Sequence, residues 1–321
     1  MTLPNGERVL VSLLREIAAE GNYSIASFSH NWILRLEKDG HSKHIFGYNF
    51  EINSATARML AADKAATADL LTNAKVPNVE HKLFLHPKLA SYVSSAGNWD
   101  AMQAFAQKKG FPLVVKPNEG TGGEDIYKVD NPLELEQSVL ALFESQRAIC
   151  LSPFQEIEQE YRVIVLDNEN LLIYAKKRPQ IVGDGEASVL ELIEGLHQES
   201  QLSRVQVAGI IESYKGALRQ VPEDGEELVV GWKHNLGEGS QPLIVEDEDL
   251  AAKLGKMAQS ARESINVRFA SIDIVEVAGK YSVLEINAGV MMEYFTEHFP
   301  DQRTKVKSIY AKAVAAMFSA S

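Results

Sequence analysis

The chain has 321 residues, of which 45% are hydrophobic and 24% are charged, and its formal net charge is -12. This length is enough to bury a sizeable core divided over two or three lobes. The acidic balance and the lack of a Lys/Arg-rich run argue against a nucleic acid or an anionic membrane as a partner. We therefore expect a soluble globular protein.

Cysteine content and apolar patterning predict a cytoplasmic location. Cys150 is the only cysteine, so no disulfide can form within the chain, as is usual in a reducing compartment. Its apolar surroundings favour a buried strand residue over a nucleophile. The first residues do not resemble a signal peptide, and no apolar run approaches the length that spans a membrane.

The first predicted lobe, residues 1–75, is a small α/β unit. Its N-terminal apolar residues are spaced as on one helical face. Residues 32–48 predict two strands joined by a turn at 38–40, a short-range hairpin signal. Residues 54–71 are Ala-rich with helical spacing, and Ser54 suits the N-cap of that helix.

The second predicted lobe, residues 76–152, is a compact α+β unit. Its pattern predicts a helix over 92–109 that ends at Gly110, and then a buried strand over 113–115. A short strand, a helix and another strand are predicted in turn over 126–129, 132–144 and 148–151.

The third predicted lobe, residues 153–321, contains two hairpins. Residues 161–166 and 171–177 flank a turn, as do residues 269–277 and 281–286. The stretch 246–263 between the hairpins is strongly helical. The expected fold class is therefore α/β, built from α+β lobes.

A glycine-rich loop follows the predicted strand that ends at Lys116. The loop contains Gly120, Gly122 and Gly123. Glycine lets backbone N–H groups approach phosphate oxygens, while a lysine supplies a positive charge. The patterns GxxxxGK[ST] and GxGxxG do not match here. On its own the loop also suits a structural turn, the commoner use of glycine.

Three oxygen-bearing side chains lie on the second predicted hairpin of the third lobe. Glu285 and Asn287 are two residues apart and share one strand face, and Asp273 joins them if the neighbouring strand aligns. Carboxylate and amide oxygens suit Mg²⁺ held between protein and nucleotide phosphates. A solvated acidic face is the alternative interpretation.

Six cationic residues stand in or beside predicted strands rather than on polar helix faces. A cleft that they line would stabilise a transferring phosphoryl group and orient carboxylate substrates. Surface ion pairs are the alternative for each of them. They are Arg162, Lys176, Lys177, Arg178, Lys233 and Arg268.

Taken in order, these pieces resemble the ATP-grasp superfamily, and they are most similar to the ATP-grasp modules of cyanophycin synthetase and of bifunctional glutathione synthetase. The resemblance rests on six segments, of which the KKRPQIVGDGEASVLELI segment is the most specific. The others are LAADKAATADLL, FPLVVKPNEGTGG, EYRVIVL, HNLGEG and IDIVEV with VLEINAG.

The resemblance implies an ATP-grasp fold of three lobes, with ATP between the central and C-terminal lobes and Mg²⁺, or alternatively Mn²⁺, beside the phosphates. Implied metal ligands are Asp273, Glu285 and Asn287. Implied catalytic residues are Arg178, which faces the γ-phosphate and acyl phosphate, and Arg162, Arg268, Lys233 and Asn235. Implied nucleotide contacts are the lysines Lys64 and Lys116, the loop residues Glu119, Gly120, Thr121, Gly122 and Gly123, the adenine hinge Pro153, Phe154, Gln155, Glu156 and Ile157, and Glu160 at the ribose.

The implied activity is that of an ATP-dependent carboxylate-amine ligase that forms an amide or peptide bond through an acyl phosphate. Its substrates would be amino acids, or a peptide and an amine. A kinase for small molecules and a nucleotide-binding regulatory protein without turnover are the alternatives. The substrates and a homo-oligomeric state stay open.

The chain departs from the family pattern at two places on the acceptor side, residues 236–239 and 288–292. The second contains Val290, Met291 and Met292, directly after Asn287. We expect one anionic substrate and one with an apolar part, although a core role for the methionines is an equal alternative.

Overall fold

A computed structural model describes residues 7–92, 99–120, 123, 125–199, 202–214 and 216–319. Its α-helices are α1 (Val9–Gly21), α2 (Ala55–Ala62), α3 (Lys64–Asn73), α4 (Trp99–Lys109), α5 (Pro132–Ser145), α6 (Val189–Glu199), α7 (Arg204–Ser213), α8 (Glu248–Ser264), α9 (Glu293–His298) and α10 (Arg303–Ser319). Short 3-10 helices cover Pro87–Tyr92, Leu236–Glu238 and Pro300–Gln302.

The strands are β1 (Ser24–Phe28), β2 (Ile33–Lys38), β3 (His41–Phe46), β4 (Asn49–Phe50), β5 (Lys82–Leu85), β6 (Leu113–Pro117), β7 (Tyr127–Val129), β8 (Ala148–Pro153), β9 (Gln159–Leu166), β10 (Glu169–Lys177), β11 (Gln180–Val182), β12 (Glu227–Val229), β13 (Gln241–Ile244), β14 (Phe269–Val277) and β15 (Lys280–Asn287). They form four sheets of mixed α/β architecture. The first sheet has the order β1-β2-β3-β4, the central sheet β5-β8-β6-β7, the large sheet β13-β10-β9-β14-β15 and the small sheet β11-β12.

The large sheet is covered on both faces. Helices α2, α3 and α8 pack on the back face, which carries the apolar side chains of Val163, Ile272 and Ile274. The front face carries Ile164 and Phe269, and one end of it shares a core with α1, the first sheet, α9 and α10. The two ends of the chain therefore meet on this sheet.

The shared core contains a stack of aromatic rings. Phe50 of β4 lies 5.7 Å from Tyr310 of α10, ring centre to ring centre, in a stacked arrangement. It also meets Phe269 of β14 edge-on at 5.2 Å. Such contacts make the first sheet part of the same packed body as the large sheet.

The central sheet has a core of its own. Helices α4 and α5 contribute Met102 and Leu142 to this core, and β5 contributes Phe84. Cys150 lies in β8 and is fully buried, which confirms its predicted core position. A further small core joins α6, α7 and the small sheet.

The predicted helix over 54–71 is wrong in one respect, because the structure breaks it into α2 and α3. At the break, Asp63 has an extended backbone, and its carboxylate accepts a hydrogen bond from the Ala66 N–H at 2.8 Å. Asp63 also pairs through its backbone with Glu119 of the glycine-rich loop. Aspartate competes well for such N-cap positions, and this tertiary contact adds to that preference. Ser54 caps α2 as expected.

Most other predicted elements are present, with ends shifted by a few residues. Helix α4 begins at Trp99, and residues 93–98 of the predicted helix over 92–109 lie outside the described residues. Within the described part of the chain, every helix falls short of the length and apolarity needed to cross a membrane. The division into lobes at 75 and 152 stays a prediction.

Candidate active site

The strand register of the large sheet brings the three predicted metal ligands onto its front face. Residues directly paired across an antiparallel sheet project from the same face. Asp273 pairs with Arg162 on one side and with Glu285 on the other. Asn287 pairs with Ser271 of the same face, and its amide donates to Glu285 Oε1 at 3.0 Å.

A buried charge network surrounds Asp273. Arg162 donates from Nε and Nη2 to the two carboxylate oxygens of Asp273, both at 2.7 Å. The ammonium of Lys176 lies 3.0 Å from Asp273 Oδ2 and donates a hydrogen bond to Glu160. Asp273 is 1% exposed and Lys176 is 4% exposed.

Burial and pairing set opposite pKa shifts at the two acids. Burial raises the pKa of Glu160 to about 7, in spite of the adjacent Lys176 ammonium. Burial also acts to raise the pKa of Asp273, but the charges of Arg162 and Lys176 outweigh it and hold that pKa well below its usual range. Asp273 therefore remains ionised.

Lys116 of the central sheet faces this network. Its side chain is buried, and burial lowers its pKa, while the charges of Glu285 and Glu160 act in the opposite sense. Within the described ranges, no group accepts a hydrogen bond from the Lys116 ammonium. The lysine is thus a buried cation with unused donors, next to the front face.

The glycine-rich loop is held at both ends by lysines. Lys64, the first residue of α3, donates to the Gly120 carbonyl at 3.0 Å. Lys233 donates to the Gly123 carbonyl at 3.1 Å. Gly123 has φ 77°, and a Cβ there would lie 2.7 Å from Asn235 Nδ2, so the position favours glycine. Glu119 is exposed, and Thr121 and Gly122 lie outside the described residues.

The predicted hinge connects the central and large sheets beside a cavity of about 370 Å³. Pro153 and Gln155 border this cavity on one side, and Val275 and Val277 border it on the other. Val275 pairs directly with Glu160, so the cavity adjoins the charge network.

Hinge residue Phe154 has aromatic and cationic neighbours. Its ring packs 5.8 Å from that of Trp232, and the Lys128 ammonium lies 3.9 Å from its centre. Glu156 is exposed, whereas Ile157 is partly buried.

No protein-family model matches the chain. Cyanophycin synthetases from Trichormus variabilis and Nostoc sp. are 23% and 24% identical over 247 residues, which is 73% of this chain but 26% of each relative. The chain thus spans about a quarter of the length of these curated relatives.

Solved structures align over most of the chain. A bifunctional glutathione synthetase from Pasteurella multocida aligns with TM-score 0.55 and 16% identity, over 95% of this chain and 44% of that one. A D-alanine–D-alanine ligase from Bacillus anthracis complexed with ATP aligns with TM-score 0.51 and 14% identity, over 83% of this chain and 68% of that one. A D-Ala:D-Ser ligase from Enterococcus faecalis aligns with TM-score 0.53 and 12% identity, over 83% of this chain and 64% of that one.

This chain has the ATP-grasp fold. The central sheet meets the front face of the large sheet at Lys116, whose charge interacts with those of Glu285 and Glu160. The residues of the front face, Lys116 and the glycine-rich loop lie where these sheets meet.

Two of the six cations do not join the ATP-grasp cleft. Arg268 directly precedes β14, at the opposite end of that strand from Val277, and forms a two-bond ion pair with Asp167 at 2.7 and 2.9 Å. Lys177 projects from the opposite face to Lys176 and pairs with Glu227 at 3.5 Å. Both match the surface ion-pair alternative.

Arg178 differs from these two residues. It follows β10 directly and is partly buried. Among the described residues, no carboxylate or carbonyl accepts a hydrogen bond from its guanidinium. An unpaired guanidinium close to the charge network is available to an anionic ligand.

The apolar residues that follow Asn287 belong mostly to the protein core. Val290 is fully buried and Met292 is 1% exposed, both within the core shared with the first sheet. Only Met291 is partly exposed. The core alternative for the methionines is therefore correct for Met292.

Sequence reasoning missed several residues that shape the cleft. Buried Asn118 accepts the Ala65 N–H through its side chain at 3.1 Å and positions the start of α3. His234 contacts the Lys176 carbonyl through Nδ1 at 2.6 Å.

Buried His81 also lies near the cleft. Burial, and secondarily the charge of Lys116, hold its pKa well below the usual value. No local pattern marks these residues, because their partners are distant along the chain.

The donor set fits Mg²⁺ at one end of the front face. Asn287 keeps its amide oxygen for a ligand, and Glu285 is only partly buried. Hard oxygen donors of this kind hold Mg²⁺ together with substrate phosphates. No group of three or more His, Cys, Asp or Glu side chains in the described part of the chain is arranged to hold a metal. The phosphates would therefore have to complete the site.

Proposed function

We propose that this chain is an ATP-dependent ligase that joins a carboxylate to an amine through an acyl phosphate, with release of ADP and phosphate. The observation that carries the proposal is the convergence of Lys116, the Lys64-anchored glycine-rich loop and the Glu285–Asn287 pair on one cleft. Similarity to proteins that are ligases or synthetases by name supports amide formation over simple phosphorylation.

In this proposal, the nucleotide lies between the two facing sheets. Adenine occupies the cavity beside Pro153 and Gln155, and Glu160 accepts hydrogen bonds from the ribose hydroxyls. Lys116 binds the α- and β-phosphates, because its buried ammonium has unused donors and little solvent screening. Gly120 and Gly123, whose carbonyls accept hydrogen bonds from Lys64 and Lys233, border the phosphates.

The chemistry depends on positioning and on charge. Mg²⁺ held by Glu285 and Asn287 would neutralise phosphate charge. Arg178 binds the substrate carboxylate and the transferred phosphoryl group, while Lys233 holds the loop in place. The carboxylate oxygen attacks the γ-phosphorus and displaces ADP. The neutral amine then attacks the acyl carbon, phosphate leaves as its bond to that carbon breaks, and the nitrogen loses a proton.

The test is phosphate release from ATP with pairs of amino acids and small amines, followed by mass spectrometry. A ligase releases ADP and phosphate only when both substrates are present, and the product has their summed mass less one water. A stable phosphorylated product would establish a kinase instead. Nucleotide binding without turnover would indicate a regulatory protein.

A matched pair of variants tests the role of Arg178. Arg178→Ala should lower kcat/KM by roughly 10²- to 10³-fold, the usual effect of removing a charge-stabilising donor. Lys177→Ala should change it little, since Lys177 pairs with Glu227 away from the cleft. Equal activities of the two variants would remove Arg178 from the mechanism.

A further inference from the structure

Lys176 holds a position that sequence reasoning did not distinguish from the other cations. It lies on the front face, directly paired with Glu160 in the strand register. Its ammonium bridges Glu160 and Asp273 and is almost fully buried. A permanent positive charge thus stands inside the nucleotide cleft, beside a predicted metal ligand.

Both oxygens of Asp273 are already engaged by cations. Arg162 donates to Oδ1 and Oδ2, and Lys176 lies 3.0 Å from Oδ2. A carboxylate has about four lone-pair sites, and Lys176 occupies at Oδ2 a second site that Arg162 leaves free. Asp273 therefore has little capacity left for a divalent cation.

The cations Arg162 and Lys176 already offset the charge of Asp273. At Glu285 the situation differs, since its described hydrogen-bond partner is the neutral amide of Asn287. The attraction for a divalent cation is concentrated at that end.

We propose that Lys176 is a built-in counter-ion that takes the place of a divalent cation at Asp273, so that the nucleotide binds with one divalent cation, at Glu285 and Asn287. Three oxygen ligands on one face are otherwise enough to hold two cations against nucleotide phosphates. The inference rests on the proposed function, because it presupposes a nucleotide in this cleft.

The experiment counts Mn²⁺ ions by electron paramagnetic resonance and calorimetry, with and without a non-hydrolysable ATP analogue. The parent should bind one Mn²⁺ per bound analogue. Lys176→Met should bind a second, and without nucleotide it should bind Mn²⁺ about tenfold more tightly or better, the usual scale for altered ligand surroundings. Lys176→Arg keeps the charge and should behave as the parent.

Lys177→Met is the matched control, because it removes a neighbouring lysine from the opposite face. It should match the parent in both titrations. Circular dichroism establishes that each variant folds, and Lys176→Gln replaces Lys176→Met if the methionine variant does not.

Two Mn²⁺ ions per analogue in the parent would overturn the inference. Unchanged Mn²⁺ binding by a folded Lys176→Met or Lys176→Gln variant would also overturn it. If the analogue does not bind to the parent, the proposed function fails. The nucleotide-free titration then still decides the role of Lys176, since its removal must strengthen Mn²⁺ binding at Asp273.

Discussion

Two glycines with the same backbone angle have different surroundings. Gly110 and Gly123 both have φ 77°. A Cβ at Gly110 would meet no atom within 4 Å, whereas one at Gly123 would lie 2.7 Å from Asn235 Nδ2. Their φ accounts for a preference for glycine at both positions, but only Gly123 is also confined by a neighbour in the cleft.

We expect Gly110→Ala and Gly123→Ala each to lose about 1 kcal/mol of stability from the left-handed backbone. Gly123→Ala should also raise KM for ATP by about tenfold or more, because displaced loop donors no longer face the phosphates. Thermal unfolding and phosphate-release kinetics measure the two effects. If KM rises equally in both variants, the geometry of the glycine-rich loop is not the cause of the rise.

Burial of the Glu293 carboxylate makes the stability of the protein depend on pH. Burial raises its pKa, although Oε1 accepts hydrogen bonds from the Leu10 N–H at 3.2 Å and the Tyr48 hydroxyl at 2.9 Å. No partner of Oε2 is found among the described residues. A pKa raised on folding gives stability that is complete below the unfolded pKa and is lost as pH rises through the folded pKa.

Glu293→Gln should therefore raise the melting temperature at pH 8 relative to the parent, and the difference should shrink towards pH 4. Glu16→Gln should show the opposite sign at pH 8, because the hydrogen bond from Arg303 lowers the pKa of Glu16. Melting curves at pH 4, 6 and 8 test both variants. The difference in melting temperature is that of Glu293→Gln minus that of the parent. A smaller difference at pH 8 than at pH 4 would contradict this account.

At the scale of elements, the break between α2 and α3 connects helix capping to the proposed nucleotide cleft. Asp63 caps α3, whose first residue is Lys64. The Lys64 N–H donates to the Asn118 carbonyl at 3.1 Å, and its ammonium donates to Gly120. The cap therefore orients a predicted nucleotide-binding lysine as well as starting a helix.

Asp63→Ala and Ser54→Ala each remove one N-cap hydrogen bond and should each cost about 1 kcal/mol. Only Asp63→Ala should also weaken ATP binding, since Ser54 caps α2 and does not position Lys64. Chemical denaturation and calorimetric titration with ATP give the comparison. Equal ATP affinities for the two variants would show that the Asp63 cap does not contribute to ATP binding.

For the whole molecule, the cores show which parts depend on one another. Leu13 belongs to the core that joins the first sheet to the large sheet and α10. Leu142 belongs to the core of the central sheet alone. The structure thus couples the chain ends more closely to each other than to the central sheet.

Leu13→Ala and Leu142→Ala should each cost about 2–5 kcal/mol. In hydrogen exchange, Leu142→Ala should speed exchange over residues 82–151, while Leu13→Ala should speed it both in 9–50 and in 269–317. This experiment also tests the predicted lobe boundaries. Acceleration of all segments by either variant would show one cooperative unit.

Local sequence patterns were sufficient for the hairpins of the large sheet and for the strand before the glycine-rich loop. The alternation of apolar and polar residues and the turn residues are both local features of the sequence. They are enough to predict the β14–β15 hairpin and the shared face of Glu285 and Asn287. The resemblance to ATP-grasp proteins rested on segments of the same local kind.

Long-range packing settled the partners of each charge. Lys176 and Lys177 are adjacent and alike in sequence, yet one is buried against Asp273 and the other pairs with Glu227 at the surface. Arg268 pairs with Asp167, far from the cleft in which the sequence had placed it. Alternation shows which residues share a face, but which face is covered, and by what, depends on contacts between segments distant along the chain.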